Sequence, residues 1–369
     1  MHHAVRFCGK SVKGQIAGEG GAARMTPRNN ALAVQDLSIV FDTRRGTVTA
    51  IEAVSFILGS GEVLGIVGES GAGKSLTGNA LIGLLQAPGR ISHGEIKLGG
   101  QRIDNAAAEA QRRLRGKRIG AIFQDPLTSL DPLMTIGGQL VETIRTHLPL
   151  SAASARVRAM ELLAEVGIAD PGARFDQYPH QFSGGMRQRI VIALAIAAEP
   201  EVIIADEPTT ALDVSIQAQI LALLRGLARQ RGTAIMLVTH DMGVIAEIAD
   251  RVGVMYAGRL VEIGPVAEVL HSAHHPYTAG LMGLIPSLSR RVERLPQISG
   301  NMPRPGEWPG GCSFHPRCPK AGPRCTIEVP APVAVSDSMV ACHLFSGGTS
   351  VVSGDLPTKE AISTRETAS

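Results

Sequence analysis

The stretch Gly68-Glu69-Ser70-Gly71-Ala72-Gly73-Lys74-Ser75 constrains this chain more than any other feature. It follows the apolar run Val63 to Val67 and precedes the helix-like run Leu76 to Leu85, which predicts strand, glycine-rich turn and helix in succession. Glycine tolerates the positive φ angles of such a turn and lets backbone N–H groups close on an anion. Lys74 is placed to reach the β- and γ-phosphates of a nucleotide and Ser75 to ligate Mg²⁺, while the helix aims its positive end at the phosphates.

A second apolar run, Val202-Ile203-Ile204-Ala205, ends in Asp206-Glu207. Two carboxylates at a buried strand end can divide the chemistry, with Asp206 turned to Mg²⁺ through water and Glu207 polarising an attacking water as general base. Gln124 follows the short apolar segment Ile119 to Phe123, where it can bind Mg²⁺ or the lytic water and sense the γ-phosphate. His240 ends the run Ala234 to Thr239, placed to hydrogen-bond the γ-phosphate and hold the base. Alone, each of these reads equally well as an ordinary polar strand end; the glycine loop upstream tips the balance toward chemistry.

The runs ending at these residues alternate with helical patterns, so an α/β fold with a mainly parallel sheet is expected, its ligand at the carboxyl edge. Residues 125–199 interrupt the rhythm. They hold a Pro/Leu-rich loop, an amphipathic segment (Val157, Met160, Leu163, Val166, stopped by Gly167) and an apolar helix from Arg187, read together as a helical insertion. Residues 1–30 and the tail 346–369 lack periodicity and are expected to be disordered. Met25, just before the first patterned segment, is a candidate start.

Charge is nearly balanced, 36 Lys+Arg against 33 Asp+Glu, and aromatics make up 3%. Neither a basic field nor stacking platforms for nucleic acid are expected. The longest apolar run, Ile190 to Ala198, is far short of the roughly 20 residues of a bilayer span, and the N-terminus has no apolar secretory core. The chain is expected at the cytosolic side, at most docked on something that spans the membrane.

With these parts in place, the sequence resembles the ATP-binding cassette (ABC) family over roughly residues 31–290. Phe182-Ser183-Gly184-Gly185-Met186-Arg187-Gln188-Arg189 is similar to the family's signature loop, with Phe and Met at the first and fifth positions. The resemblance implies a P-loop NTPase with a RecA-like core, an antiparallel β region and the helical subdomain at 125–199. It also implies that Ser183, Gly184 and Gly185 close over the γ-phosphate held by a second cassette. Ala211-Leu212-Asp213 matches the D-loop at that seam, Phe41 the aromatic that stacks on adenine, and Gln124 with Asp125 to Ile136 the surface receiving membrane subunits.

A narrower resemblance is to the ATPase subunits of dipeptide/oligopeptide importers, carried by Gln124-Asp125-Pro126-Leu127-Thr128-Ser129-Leu130-Asp131-Pro132, His275-Pro276-Tyr277-Thr278 and Gly311-Cys312-Ser313-Phe314-His315-Pro316-Arg317-Cys318-Pro319. It implies an ATP-hydrolysing importer subunit for peptides, with relatives that carry nickel, glutathione or oligosaccharides. Expected partners are a different, homologous cassette, two integral membrane permeases and, indirectly, a solute-binding protein. A ribosome- or DNA-acting cassette is disfavoured by the single P-loop and absent long heptads; an exporter is disfavoured by the Cys-containing C-terminus and the absence of fused membrane spans.

From about Pro296 the chain turns rich in Pro, Gly and Cys, and residues 291–345 form an expected module too poor in apolar residues to hold a core unaided. Its spacing is Cys312-x5-Cys318-x6-Cys325-x16-Cys342. Four thiolates suit zinc or a [4Fe–4S] cluster, and unliganded thiols or a disulfide stay open. The importer resemblance points to iron–sulfur in a structural role. His315 and His343 are alternative ligands in sequence reach.

Overall fold

The structure, a computed structural model, describes residues 30–210, 212–284 and 297–345. The expectations for residues 1–29, for Ala211 and for the tail from residue 346 lie outside these described residues.

The first strands, β1 (Asn30–Thr43) and β2 (Gly46–Gly59), form a hairpin closed at Thr43 and Gly46. Buried Leu32 and Val34 give way to Leu37 and Ile39 across a register shift. Asp36 absorbs the extra residue with a left-handed φ of 48°. β3 (Val63–Val67) is buried throughout and leads into α1 (Lys74–Leu81). The chain then returns through β4 (Gly89–Leu98) and β5 (Gln101–Arg102), giving a four-stranded antiparallel sheet in the order β2-β1-β4-β5.

After α2 (Ala108–Leu114) and β6 (Ile119–Ile122) comes a run of helices: α3 (Pro126–Ser129), α4 (Ile136–His147), α5 (Ala152–Glu165), α6 (Pro171–Arg174) and α7 (Gly184–Ile196). Thr135, Ser151 and Ser183 cap α4, α5 and α7 by accepting the N–H groups of Gly138, Ser154 and Met186. The buried face of α5 keeps Leu163 and Val166 of the expected stripe but departs from it at Val157. Val157 is exposed, while Ala155, Ala159, Leu162 and Leu163 are buried. Small alanines bring α5 close to its neighbours, and a reading that counts only large apolar residues passes over them.

Strands and helices then alternate through β7 (Val202–Asp206), α8 (Val214–Arg231), β8 (Ala234–Val238), α9 (Met242–Ile248) and β9 (Arg251–Tyr256). β10 (Arg259–Pro265) turns back antiparallel and is followed by α10 (Val266–His271), α11 (Pro276–Gly283) and the hairpin β11 (Val333–Val335) and β12 (Ser338–Val340). The main sheet runs β11-β12-β10-β9-β3-β8-β7-β6. Its strands are covered on both faces, which is why they read as unbroken apolar runs. Leu64, Ile66, Ile204 and Met236 face the antiparallel sheet and α1. Val63, Val67, Ile203 and Ile235 face the helices on the other side.

The Cys-rich segment uses this same core. Phe314 is buried with its ring centroid 5.2 Å from Tyr256 and 5.3 Å from Tyr277, and β12 pairs with β10 at Glu262↔Val340. A segment with few apolar residues of its own is thus carried by the edge of the main sheet. Among the described residues no helix is long and apolar enough to cross a membrane.

Candidate functional site

The glycine loop leaves the carboxyl end of β3 between β8 and β9. Gly73 caps α1 with φ 103°, and a side chain there would strike Ile51, so this position requires glycine. Lys74 is buried, and its Nζ donates to the carbonyls of Gly68 at 2.9 Å and Glu69 at 3.1 Å. Burial pushes the Lys74 ammonium below its usual range, opposed by the charges of Glu207, Asp206 and Glu69. Ser75 Oγ donates to Asp206 Oδ1 at 3.0 Å, joining the loop to the end of β7.

Glu207 follows β7 with a left-handed φ of 47°, its N–H bonded to Val238 O at 2.8 Å. That turn presents the carboxylate to three groups. Gln124 Nε2 donates to Oε2 at 3.0 Å, Thr210 Oγ1 donates to the same oxygen at 2.9 Å, and His240 Nδ1 lies 2.9 Å from Oε1. Burial alone would raise the Glu207 carboxyl. The hydrogen bonds from His240 and Thr210 and the charge of Lys74 outweigh it, so the group stays ionised below the ordinary range. Asp206 goes the other way, raised mainly by burial. The two adjacent carboxylates therefore shift in opposite directions.

These residues share one cavity of about 670 Å³, lined by Ser70, Gly71, Gly73, Lys74, Ser75, Gln124, Glu207 and His240 together with Ala50, Leu76 and Pro305. Gly68, Glu69 and Ala72 belong to the loop without lining the cavity. Phe41 also stands outside it, on β1 opposite Gly89. Ser183, Gly184 and Gly185 lie elsewhere, at the N-terminus of the 13-residue α7. Gly185 packs so that a side chain would meet Ile216 at 2.6 Å, which ties this loop to the first turn of α8, behind Leu212 and Asp213.

Sequence reasoning passed over Thr210, Tyr277 and Arg317. Thr210 stands three residues after Glu207, a spacing that returns a hydroxyl onto the carboxylate in a tight turn. Tyr277 and Arg317 reach the glycine loop from 208 and 248 residues away, where no local pattern could announce them.

The four cysteines come into one neighbourhood. Cys312 N donates to Cys325 O at 2.9 Å, and each of the four thiols lies within electrostatic range of the other three. Burial holds the Cys312 and Cys318 thiols up and pushes Cys342 to about 11. Among the described residues, however, no group of three or more His, Cys, Asp or Glu side chains is arranged to hold a metal ion. His315 and His343 each place a ring nitrogen on a backbone carbonyl, of Cys312 at 2.9 Å and Glu328 at 2.8 Å.

Residues 51–210 match the ABC transporter family, and residues 261–325 match the C-terminal region of oligopeptide/dipeptide transporters. The chain is 44% identical over 313 residues to the dipeptide transport ATP-binding protein DppD of Escherichia coli, covering 85% of this chain and 96% of the relative. It is 45% identical over 316 residues to the oligopeptide transport ATP-binding protein OppD of Salmonella typhimurium, covering 86% and 94%. Among solved structures, the dimeric post-hydrolysis state of the ATP-binding cassette MJ0796 bound to ADP and Pi is similar, with TM-score 0.58 and 26% identity over 64% of this chain and 98% of that one. Their agreement with the joined Lys74–Ser75, Asp206 and Glu207 groups has one consequence: the chain belongs to the ABC transporter family, as an ATP-hydrolysing ATP-binding subunit of the oligopeptide/dipeptide type.

Proposed function

We propose that this subunit energises import of di- and oligopeptides by hydrolysing ATP at a site completed by a second, homologous cassette. One observation carries the catalytic part: Glu207 is held by Gln124, Thr210 and His240 in the cavity that also contains Lys74 and Ser75. Lys74 would bind the β- and γ-phosphates, and Ser75, Asp206 and Gln124 would hold Mg²⁺. When bound, Mg²⁺ neutralises charge on the phosphates. Glu207 accepts a proton from water as the water oxygen bonds to the γ-phosphorus and the bond to the β-phosphate oxygen breaks, releasing ADP and phosphate. His240 orients the base and donates to the γ-phosphate; Phe41 stacks on adenine.

The partner assignments rest on exposed groups. Ser183 and Gly184 are exposed, outside the chain's own nucleotide cavity, which supports their use on a partner's γ-phosphate through backbone N–H groups and the helix N-terminus. Val214, beside Asp213, is 83% exposed, as a residue of a dimer seam would be. Phe123, Leu127 and Leu133 stand exposed around Asp125 to Ile136, which supports docking of two membrane permeases there. The subunit would then lie peripherally on the cytoplasmic face, with a solute-binding protein acting from the far side. Peptide cargo follows from what DppD and OppD are named for.

The cysteines Cys312, Cys318, Cys325 and Cys342 are proposed to hold a [4Fe–4S] cluster. Support for this reading is the importer resemblance and the mutual proximity of the four thiols, and iron and sulfide analysis of the purified subunit separates a cluster from a single zinc ion.

Glu207→Gln in the assembled transporter is expected to lower ATP turnover by about a hundredfold or more while ATP binding is retained. Unchanged turnover would remove Glu207 from the role of base.

A further inference from the structure

Glu69 places a negative charge inside a loop whose task is to hold a polyanion. The structure shows how this charge is managed. The carboxylate is paired with Arg317, whose Nη1 donates to Oε2 at 3.2 Å and lies 3.1 Å from Oε1, an oxygen that accepts no hydrogen bond among the described residues. The Arg317 side chain is only 6% exposed, and it is fixed in turn by the Ser299 carbonyl at 2.8 Å, the Ile298 carbonyl at 3.2 Å and Tyr256 Oη at 3.4 Å. The backbone of the same residue is held by Tyr277, whose Oη accepts the Glu69 N–H at 3.0 Å. Glu69 therefore stays out of the cavity, although Ser70 and Gly71 beside it line the wall. Its field still reaches the site, because it acts on the Lys74 ammonium.

We infer that Arg317 and Tyr277 are positioning residues for ATP: they neutralise and anchor Glu69, so that the phosphate-binding loop meets the nucleotide without an opposing charge. Arg317 lies between Cys312 and Cys318, so the charge balance of the nucleotide site is set by a side chain of the Cys-rich segment. Losing Arg317 would leave a carboxylate unpaired beside the phosphates, and the Coulomb cost would fall on ATP binding before hydrolysis.

This inference rests on the loop 68–75 being the nucleotide site, and the test separates the two. In the assembled transporter, Arg317→Met is expected to raise the KM for ATP about tenfold, with kcat within about twofold of the parent. Adding Glu69→Gln to Arg317→Met is expected to bring KM back to near the parent value, and Arg317→Lys to keep KM within about twofold. The excess KM of Arg317→Met should shrink as salt is raised. Tyr277→Phe, which removes only the acceptor of the Glu69 N–H, should raise KM by a smaller factor. A purely structural arginine would lower kcat or thermal stability instead, and Glu69→Gln would not rescue it; that result overturns the inference. If Arg317→Met does not fold, Arg317→Gln, whose amide sits near the Nε that donates to the Ser299 carbonyl, replaces it in the same cycle. Lys74→Ala is the control. If it binds ATP as the parent does, the site assignment fails; if it loses ATP while Arg317→Met matches the parent, only the role of Arg317 fails.

Discussion

The ring of His275 is buried, and its Nδ1 accepts the Tyr277 N–H at 3.0 Å to cap α11, while the backbone N–H of His275 donates to Glu262 Oε2 at 3.0 Å. Pro276 occupies the first helical position, where a missing N–H costs nothing. The cap requires a neutral imidazole, and burial pushes its pKa down from 6.5 to about 3. Between those values the unfolded chain binds more protons than the native one, so stability rises with pH in that window. Its contribution is fully present above pH 6.5 and is lost as pH falls toward 3, with a slope of up to about 1.4 kcal/mol per pH unit from this group. Denaturant midpoints at pH 7 and pH 5 should show this loss in the parent and a clearly smaller one in His275→Asn, which can still cap Tyr277. Equal losses in both would assign the pH dependence elsewhere.

Among elements, β6 is tightly placed against backbone. Gly120 faces the last turn of α7, and a Cβ there would come within 2.5 Å of the Ala195 carbonyl oxygen and 3.2 Å of Pro200. Backbone does not yield as a side chain does, so Gly120→Ala is expected to destabilise by about 1–3 kcal/mol through overpacking, read as a lower denaturant midpoint. Because β6 carries Gln124 toward Glu207, the same variant should lower ATP turnover. The strands were the legible part of this fold. The expected runs at 63–67, 202–205 and 234–239 match β3, β7 and β8 within a residue, because strands covered on both faces must be apolar throughout. Helix faces were less legible: α5 turns on alanines whose burial depends on neighbours. The clamp on Glu207 was legible in its Gln124 and His240 arms, since each ends an apolar run. The anchor on Glu69 was not, because an ion pair between residues 69 and 317 leaves no local trace.

At the scale of the molecule, the proposed function gives one chain two unlike halves of a nucleotide site. Its cavity gathers Lys74, Ser75 and Glu207, with Asp206 joined to it through Ser75, and its exposed Ser183 and Gly184 lie outside that cavity. Under the proposed function, pairing with a second cassette would follow from that separation. The main sheet has a further consequence for how such a chain survives synthesis and proteolysis. β10 is seven residues long, and β12 covers its outer edge. β11, three residues long, then closes the sheet with a strand too short to template another chain. A chain cut before residue 330 would bare the hydrogen-bonding row of β10. It should therefore sediment as aggregate rather than persist as a smaller soluble ATPase, and a monodisperse truncated product in analytical ultracentrifugation would contradict this. The final hairpin thus closes the outer edge of the sheet, and a chain that lost it is expected to leave the dispersed pool.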